Sequence, residues 1–128
     1  MRYLLGKGHD VLGFSRSKEP EDVFLPYKGF EERRGRFHFE QADLNKHIKK
    51  LIEIINAEKP AYIINFAAQG MVAESWLKPE DWYQTNVVSQ VKLHNQLRQF
   101  DFIENYLQYL KSIRGNYSIA FRIPSLFV

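Results

Sequence analysis

The stretch that decides the fold is residues 61–68, AYIINFAA, which directly follows Pro60. Its apolar run is interrupted only by Asn65 and is far too short to span a bilayer. A short, continuous apolar run of this kind is typical of a β-strand covered on both faces, as in parallel sheets. The run ends in Ala67 and Ala68. Such small residues let a flat ligand lie against the backbone, but they also allow tight helix–sheet packing, and spacing alone leaves that choice open.

Amphipathic helices are predicted on both sides of this strand. Upstream, the apolar residues that recur at helical spacing are Ile48, Leu51, Ile52 and Ile55. Asp43 or Asn45 is placed to cap the first turn of that helix. Downstream, Pro79 suits a first helical position, and a long helix to about Phe100 is predicted. Its predicted inner face holds Val87, Val88, Val91 and Leu97.

Further strands are predicted at residues 10–15 (DVLGFS) and 36–42 (RFHFEQA). Residues 6–8 (GKG) precede the first of them, which suits a helix C-terminus, whereas phosphate-binding glycines must follow a strand and open a helix. Residues 102–114 predict another helix, and residues 117–128 predict a final strand or a strand followed by a loop. Strands that alternate with helices indicate an α/β fold with a doubly wound parallel sheet, here as a single domain over residues 1–128.

The composition excludes several classes of function. The chain has 128 residues, a formal net charge of +3 and no cysteine, which excludes a disulfide scaffold, a thiolate metal site and a cysteine nucleophile. The four histidines are scattered, so no metal site is predicted. No G-x-S-x-G motif supports a hydrolase. The N-terminus has no apolar core of signal-peptide length, and we expect a cytoplasmic protein without a membrane segment.

The basic residues give little support to a nucleic-acid-binding module. The densest cluster lies in residues 31–36, EERRGR, where the arginines follow two glutamates directly, as in a solvated turn. The aromatic residues fall mostly on apolar faces, and no nucleic-acid-binding motif is present. No nucleic-acid partner is therefore expected.

Three segments together resemble a known family, the extended short-chain dehydrogenases/reductases that act as NAD(P)-dependent epimerases and dehydratases on nucleotide sugars. LLGKGHDVLGFSRS (residues 4–17) resembles the end of the family's first helix and its second strand. FEQADLNKHIKKLIEIINAEKPAYIINFAAQ (residues 39–69) resembles the third strand, the following helix and the fourth strand. PEDWYQTNV (residues 79–87) resembles the fourth helix, whose asparagine is a family hallmark. The resemblance covers most of residues 2–100 and implies a Rossmann-type sheet.

The resemblance implies a nicotinamide cofactor. Ser15, Arg16 and Ser17 match the position after the second strand, where the adenosine ribose is bound. Many relatives have an acidic residue there, which binds the ribose 2′-hydroxyl. A guanidinium and two hydroxyls suit a 2′-phosphate instead, so we expect NADP rather than NAD.

The resemblance also implies roles for further residues. Those implied to contact the adenine are Asp43 and Leu44, although Asp43 also suits a helix N-cap. Those implied to lie beside the nicotinamide ribose and pyrophosphate are Phe66, Ala67, Ala68 and Gln69. Asn86 matches the helix asparagine that helps to order the active site. Those implied to lie toward the substrate are Met71, Val72 and Glu74.

The chain also departs from the family pattern. The first strand with its glycine-rich turn is missing, and so is a segment near residues 106–107 that should hold the fifth strand and the Tyr-x-x-x-Lys catalytic pair. In that mechanism the lysine lowers the pKa of the tyrosine, which acts as acid and base. Only Tyr3 and Lys7 have the spacing, far from the expected place, so no catalytic residue is assigned. Without the first strand, its two neighbours would expose unpaired backbone groups unless another segment fills the gap.

Two functions are consistent with these features. The first is the cofactor-domain portion of a nucleotide-sugar epimerase or dehydratase, inactive by itself, with a nucleotide-sugar substrate. The alternative is a non-catalytic, shortened relative that acts as a nucleotide-binding or scaffold domain. Family members are commonly dimers, so a homodimer is implied, although their usual interface includes the helix that carries the missing pair.

Overall fold

A computed structural model describes residues 1–25, 27, 35–70, 72–108 and 118–122. The helices are α1 (Arg2–Gly6), α2 (Ile48–Glu58), α3 (Val72–Ser75), α4 (Pro79–Tyr83) and α5 (Ser89–Leu97), with a π-helical segment (Gln84–Val88) joining the last two and a 3-10 turn at Asp22–Phe24. The strands are β1 (Asp10–Ser15), β2 (Phe37–Gln41), β3 (Tyr62–Asn65), β4 (Asn105–Gln108) and β5 (Ser118–Arg122).

The strands form one sheet in the order β2-β1-β5-β3-β4. β1 pairs with β2, and β3 with β4, in the parallel sense. β5 runs antiparallel to both β1 and β3, so those two strands point the same way. The Rossmann-type α/β class is confirmed, but the expectation of a purely parallel sheet is wrong for β5.

β5 occupies the gap that the sequence left between β1 and β3. Ala120 lies opposite Leu12 of β1 and opposite Ile63 of β3. Both apolar strands thereby gain a backbone partner on their inner edges, which satisfies N–H and C=O groups that would otherwise be buried without hydrogen bonds. A segment from the far end of the chain therefore takes the central position.

The core lies on both faces of the sheet, as the apolar run in β3 predicted. On one face, Leu12, Phe14 and Ile63 pack against buried residues of α2 and α5. On the other face, Val11 packs with Leu5 of α1, while Ile64 lies against the same cluster. Alternate side chains of a strand point to opposite faces, so β1 and β3 each contribute to both clusters.

The upstream predictions agree with the structure. α1 ends at Gly6, and Gly8 has a positive φ of 90°, which glycine adopts without steric cost. In α2 the buried residues are Leu51 and Ile55. The predicted cap is wrong, because His47 occupies the N-cap position of α2 and makes no capping hydrogen bond through its side chain.

The long downstream helix differs from its prediction in length and orientation. It contains the π-helical segment and ends at Leu97. Three valines predicted to face inward are partly or largely exposed, namely Val87, Val88 and Val91. The buried residues of α5 are Ser89, Gln90, Leu93 and Leu97. The helix turns polar groups inward because a polar loop and a buried asparagine lie beneath it, as described below.

The predicted helix at 102–114 is wrong where the structure describes it, because residues 105–108 form β4. β4 pairs in parallel register with β3, from Tyr62 opposite Asn105 to Asn65 opposite Gln108. The strand predicted within 117–128 is confirmed at Ser118–Arg122. The rest of both predictions lies outside the described residues.

Candidate functional site

The predicted site lies where the carboxyl ends of β1, β2 and β3 meet. A cleft opens there between the sheet and the α2–α5 pair, with an apolar floor that includes Leu51 of α2 and Leu93 of α5. The polar residues that line it are Ser15, Arg16, Asp43, Asn45, Asn65 and Thr85. In open parallel sheets, ligands bind in the crevice outside the carboxyl ends of the strands. The chain also enters β5 at this edge, where Ser118 lies opposite Phe14 and Asn65.

The turn after β1 carries Ser15, Arg16 and Ser17. Ser15 is buried, and its Oγ accepts a hydrogen bond from the backbone N–H of Ser17 at 3.3 Å. The Arg16 carbonyl accepts a hydrogen bond from Gln41 Nε2 at 2.9 Å. The exposed Arg16 guanidinium donates to Gln69 Oε1 at 3.4 Å. The turn is thus held at its backbone, while the arginine extends across the cleft toward the loop after β3.

Asp43 also lines the cleft and lies two residues after the end of β2. Its Oδ1 accepts a hydrogen bond from the backbone N–H of Asn45 at 2.8 Å, and its own N–H donates to His47 Nδ1 at 3.0 Å. The carboxylate therefore stabilises a local turn rather than the helix N-terminus. Leu44 also lines the cleft and packs against the core cluster on this face.

Asn86 fixes the loop that follows β3. Its Oδ1 accepts a hydrogen bond from the Gln69 N–H at 2.8 Å, and its Nδ2 donates to the Gln69 carbonyl at 3.0 Å. Asn86 lies in the π-helical segment, and π-helical turns occur frequently at functional sites. One side chain thus satisfies both backbone groups of Gln69. Ala67 and Ala68, the two residues that precede Gln69, line the cleft.

A buried polar network lies beneath this loop, and the sequence patterns did not predict it. Asn65, with 1% of its surface exposed, donates from Nδ2 to Gln90 Oε1 and to the Tyr106 hydroxyl, both at 2.7 Å. Its Oδ1 accepts from the Ala67 N–H at 2.8 Å, and Gln90 Nε2 donates to the Ala67 carbonyl at 2.6 Å. The one available signal was the polar residue that interrupts the apolar run of 61–68.

Tyr106 reaches this network from β4. Burial raises the pKa of its phenol above the ordinary value, and the hydrogen bond from Asn65 opposes that rise. Its ring also meets His94 edge to face, with centroids 4.5 Å apart. The phenol therefore stays protonated and neutral across the physiological pH range, which suits a buried hydrogen-bond partner.

The structure brings most of the predicted cofactor residues together, although it does not test their roles. Ser15, Arg16, Asp43, Leu44, Ala67 and Ala68 line the cleft, and Ser17, Phe66, Gln69 and Asn86 adjoin it through the turn and loop just described. The role of the predicted substrate residues stays a prediction. Met71 lies outside the described residues, Val72 begins α3, and Glu74 is exposed on α3 and does not line the cleft.

Neither a metal-binding cluster nor a membrane-spanning helix is found in the part of the chain that the structure describes. No group of three or more histidine, aspartate or glutamate side chains there could hold a metal ion. Within the same residues, no helix combines the length and apolar character needed to cross a membrane.

The fold and the cleft define the class of protein. A Rossmann-type sheet with a crevice at its carboxyl edge, together with the segment order already described, is that of an extended short-chain dehydrogenase/reductase of the epimerase/dehydratase class, whose members act on nucleotide sugars. A family model described as GDP-mannose 4,6 dehydratase matches residues 1–112, and the chain belongs to that family. A comparison with curated proteins found no match.

Proposed function

We propose that this chain forms the cofactor-binding portion of an NAD(P)-dependent nucleotide-sugar dehydratase or epimerase, and that its cleft binds the adenosine half of NADP(H). The observation that carries the proposal is that Arg16 and Asp43, which follow the neighbouring strands β1 and β2, line one cleft at the carboxyl edge of the sheet. Family membership supports a nucleotide sugar as substrate, and the name of the family points to GDP-mannose.

The donor set fits an adenosine 2′-phosphate. Arg16 supplies a guanidinium and Ser15 and Ser17 supply hydroxyls at the end of β1, while Asp43 supplies a carboxylate acceptor after the neighbouring strand β2. The apolar floor, which includes Leu51 and Leu93, suits the face of a base. A guanidinium binds phosphate oxygens with directed, charge-assisted hydrogen bonds.

The pyrophosphate half of the cofactor has weaker support. Among the described residues, no connection from a strand to a helix contains two glycines, and the one Gly-x-Gly sequence precedes β1. The backbone cradle that phosphate-binding glycines provide is therefore not seen in these residues. When bound, the nicotinamide would accept a hydride from the sugar and return it. The chain's own contribution in this proposal is to bind and orient the adenosine half.

The cofactor preference is tested with two small nucleotides that differ only in the 2′-phosphate. We expect the chain to bind 2′,5′-ADP more tightly than 5′-AMP by about tenfold or more, the effect of a charge-assisted contact worth roughly 1.5–3 kcal/mol. Arg16→Gln should abolish this difference, whereas Arg98→Gln, a change at an exposed arginine after α5, should preserve it. Isothermal titration calorimetry measures the dissociation constants. Equal affinity for both nucleotides would contradict the preference for NADP, and binding of neither would contradict the nucleotide site.

A second function, a nucleotide-binding domain without catalysis, is favoured by one observation. The only Tyr-x-x-x-Lys spacing in the sequence is that of Tyr3 and Lys7, and Tyr3 lies in α1. α1 packs beside Val11, on the face of the sheet opposite to the α2–α5 cleft. No acid–base pair of the family type therefore adjoins the cleft in the described residues.

We accordingly expect the 128-residue chain to bind nucleotide without turning over a nucleotide sugar. The assay incubates the purified chain with NADP and GDP-mannose and follows the sugar product by mass spectrometry. Product formation above a no-protein blank would overturn the expectation. Product formation that persists in Tyr3→Phe would further show that another acid–base group acts. The homodimer and the cytoplasmic location remain predictions.

A further inference from the structure

Asn45 joins the Asp43 turn to the helical segment around Thr85 through its side chain. Its Nδ2 donates a hydrogen bond to Thr85 Oγ1 at 2.9 Å, and its Oδ1 accepts one from Ser89 Oγ at 2.7 Å. Its backbone N–H donates to Asp43 Oδ1 at 2.8 Å. An exposed loop residue thus uses both ends of its amide on partners 40 and 44 positions away in the sequence.

One partner of Asn45 lies beside a predicted cofactor residue, and the other begins α5. Thr85 immediately precedes Asn86 in the π-helical segment, and Asn86 holds the Gln69 backbone. Ser89 is 1% exposed, and its hydroxyl also accepts a hydrogen bond from Gln84 Nε2 at 3.0 Å. A buried hydroxyl with two partners of good geometry holds the helix against the loop, because loss of either partner leaves a desolvated polar group.

The contacts of Asn45 continue around the mouth of the cleft. From Asp43 they pass through Asn45 to the π-helical segment, then through Asn86 to Gln69, whose side chain meets Arg16. The Asp43 turn and the Arg16 turn are therefore not independent. A displacement of the Asp43 turn would be transmitted to the loop after β3 by hydrogen bonds rather than by the apolar floor.

We propose that Asn45 is a positioning residue of the nucleotide site, which fixes the Asp43 turn relative to Thr85 and thereby sets the width of the cleft mouth. The inference rests on the proposed function, since it names a residue that organises that same site. Asn45 acts through Asp43 and Thr85, and it is not assigned a direct role in chemistry.

The test compares 5′-AMP affinity among variants of the full chain. We expect Asn45→Ala to raise the dissociation constant about tenfold, the size typical of coupled polar contacts. Thr85→Val should produce part of this effect, and the double variant should be no weaker than Asn45→Ala alone. Asn95→Ala, an exposed asparagine on α5 outside the cleft, is the matched control and should bind as the unmodified chain does.

A second control and a second measurement distinguish the positioning role of Asn45 from a purely structural one. Val11→Ala removes buried volume on the opposite face of the sheet, so it lowers the melting temperature without touching the cleft. Hydrogen exchange is measured without ligand on the amides of residues 43–47 and 84–89. Asn45→Ala should speed exchange in both of these segments more than elsewhere, and Val11→Ala should leave 5′-AMP affinity unchanged.

Each outcome decides between a positioning role and a purely structural role for Asn45. Unchanged 5′-AMP affinity in Asn45→Ala, or equal weakening by Val11→Ala, would overturn the positioning role. If the unmodified chain does not bind 5′-AMP, the proposed function fails. In that case the exchange data still decide whether Asn45 couples the two segments, because faster exchange spread evenly over the chain would refute the coupling.

Discussion

Ala120→Pro should unfold or severely destabilise the protein, because β5 is the central strand of the sheet. Ala120 lies between Leu12 and Ile63, so its N–H belongs to a ladder that is closed on both sides. Proline removes that donor, leaves a buried carbonyl without a hydrogen bond and adds a steric clash. We expect the free energy of unfolding to fall by about 3 kcal/mol or more, a large share of an ordinary domain's stability. Urea denaturation followed by circular dichroism measures the loss.

The matched control is Gln41→Pro on the edge strand β2. The Val11 N–H donates to the Arg36 carbonyl, and the Ala42 N–H donates to the Ser15 carbonyl. In a parallel ladder these bonds place the N–H of Gln41 on the side away from β1, where proline is tolerated. We expect a loss of about 1 kcal/mol there. Equal losses for the two variants would mean that β5 does not hold the central position.

Asn65→Ala should be the most damaging side-chain truncation near the cleft. The change leaves the Gln90 amide oxygen, the Tyr106 hydroxyl and the Ala67 N–H without their shared partner. Each unsatisfied buried group costs roughly 1–3 kcal/mol, so we expect stability to fall by about 3–5 kcal/mol. Thermal and urea unfolding of the purified variant measure this loss directly.

Asn105→Ala provides the comparison for Asn65→Ala, because Asn105 is an exposed asparagine on the neighbouring strand β4. We expect a change within about 0.5 kcal/mol for this surface substitution. The Asn65 variant should also lose 5′-AMP affinity, since its Oδ1 anchors the loop that carries Ala67 and Ala68. A near-normal stability of Asn65→Ala would show that water or repacking replaces the network.

Much of the fold could be predicted from local patterns. The apolar run at 61–68 predicted a strand covered on both faces, and Ile63 and Ile64 do pack into clusters on opposite sides of the sheet. The helical spacing of Leu51 and Ile55 predicted the buried face of α2. These predictions succeed because burial on one face, or on both, imposes a period on the sequence that is independent of distant residues.

The helix after Pro79 shows where the helical spacing of apolar residues gives a wrong prediction. Val87, Val88 and Val91 suggested an inner face, yet Ser89 and Gln90 are buried in their place. Gln90 faces inward because Asn65 and the Ala67 carbonyl lie beneath it and need partners. Hydrophobicity alone could not show this preference, since the polar groups that require it come from a strand 25 positions earlier.

The sequence by itself determined the elements β1, β2, α2 and β3 and the residues that follow each strand, including Arg16 and Asp43. Only the tertiary structure decided that β5 enters the centre of the sheet in reverse, that residues 105–108 form a strand, and that Asn45 and Asn65 join the elements around the cleft. The physical reason is the range of the forces concerned. Burial patterns depend on residues a few positions apart in the sequence. The hydrogen bonds of backbone and amide groups, by contrast, are made with partners dozens of positions away.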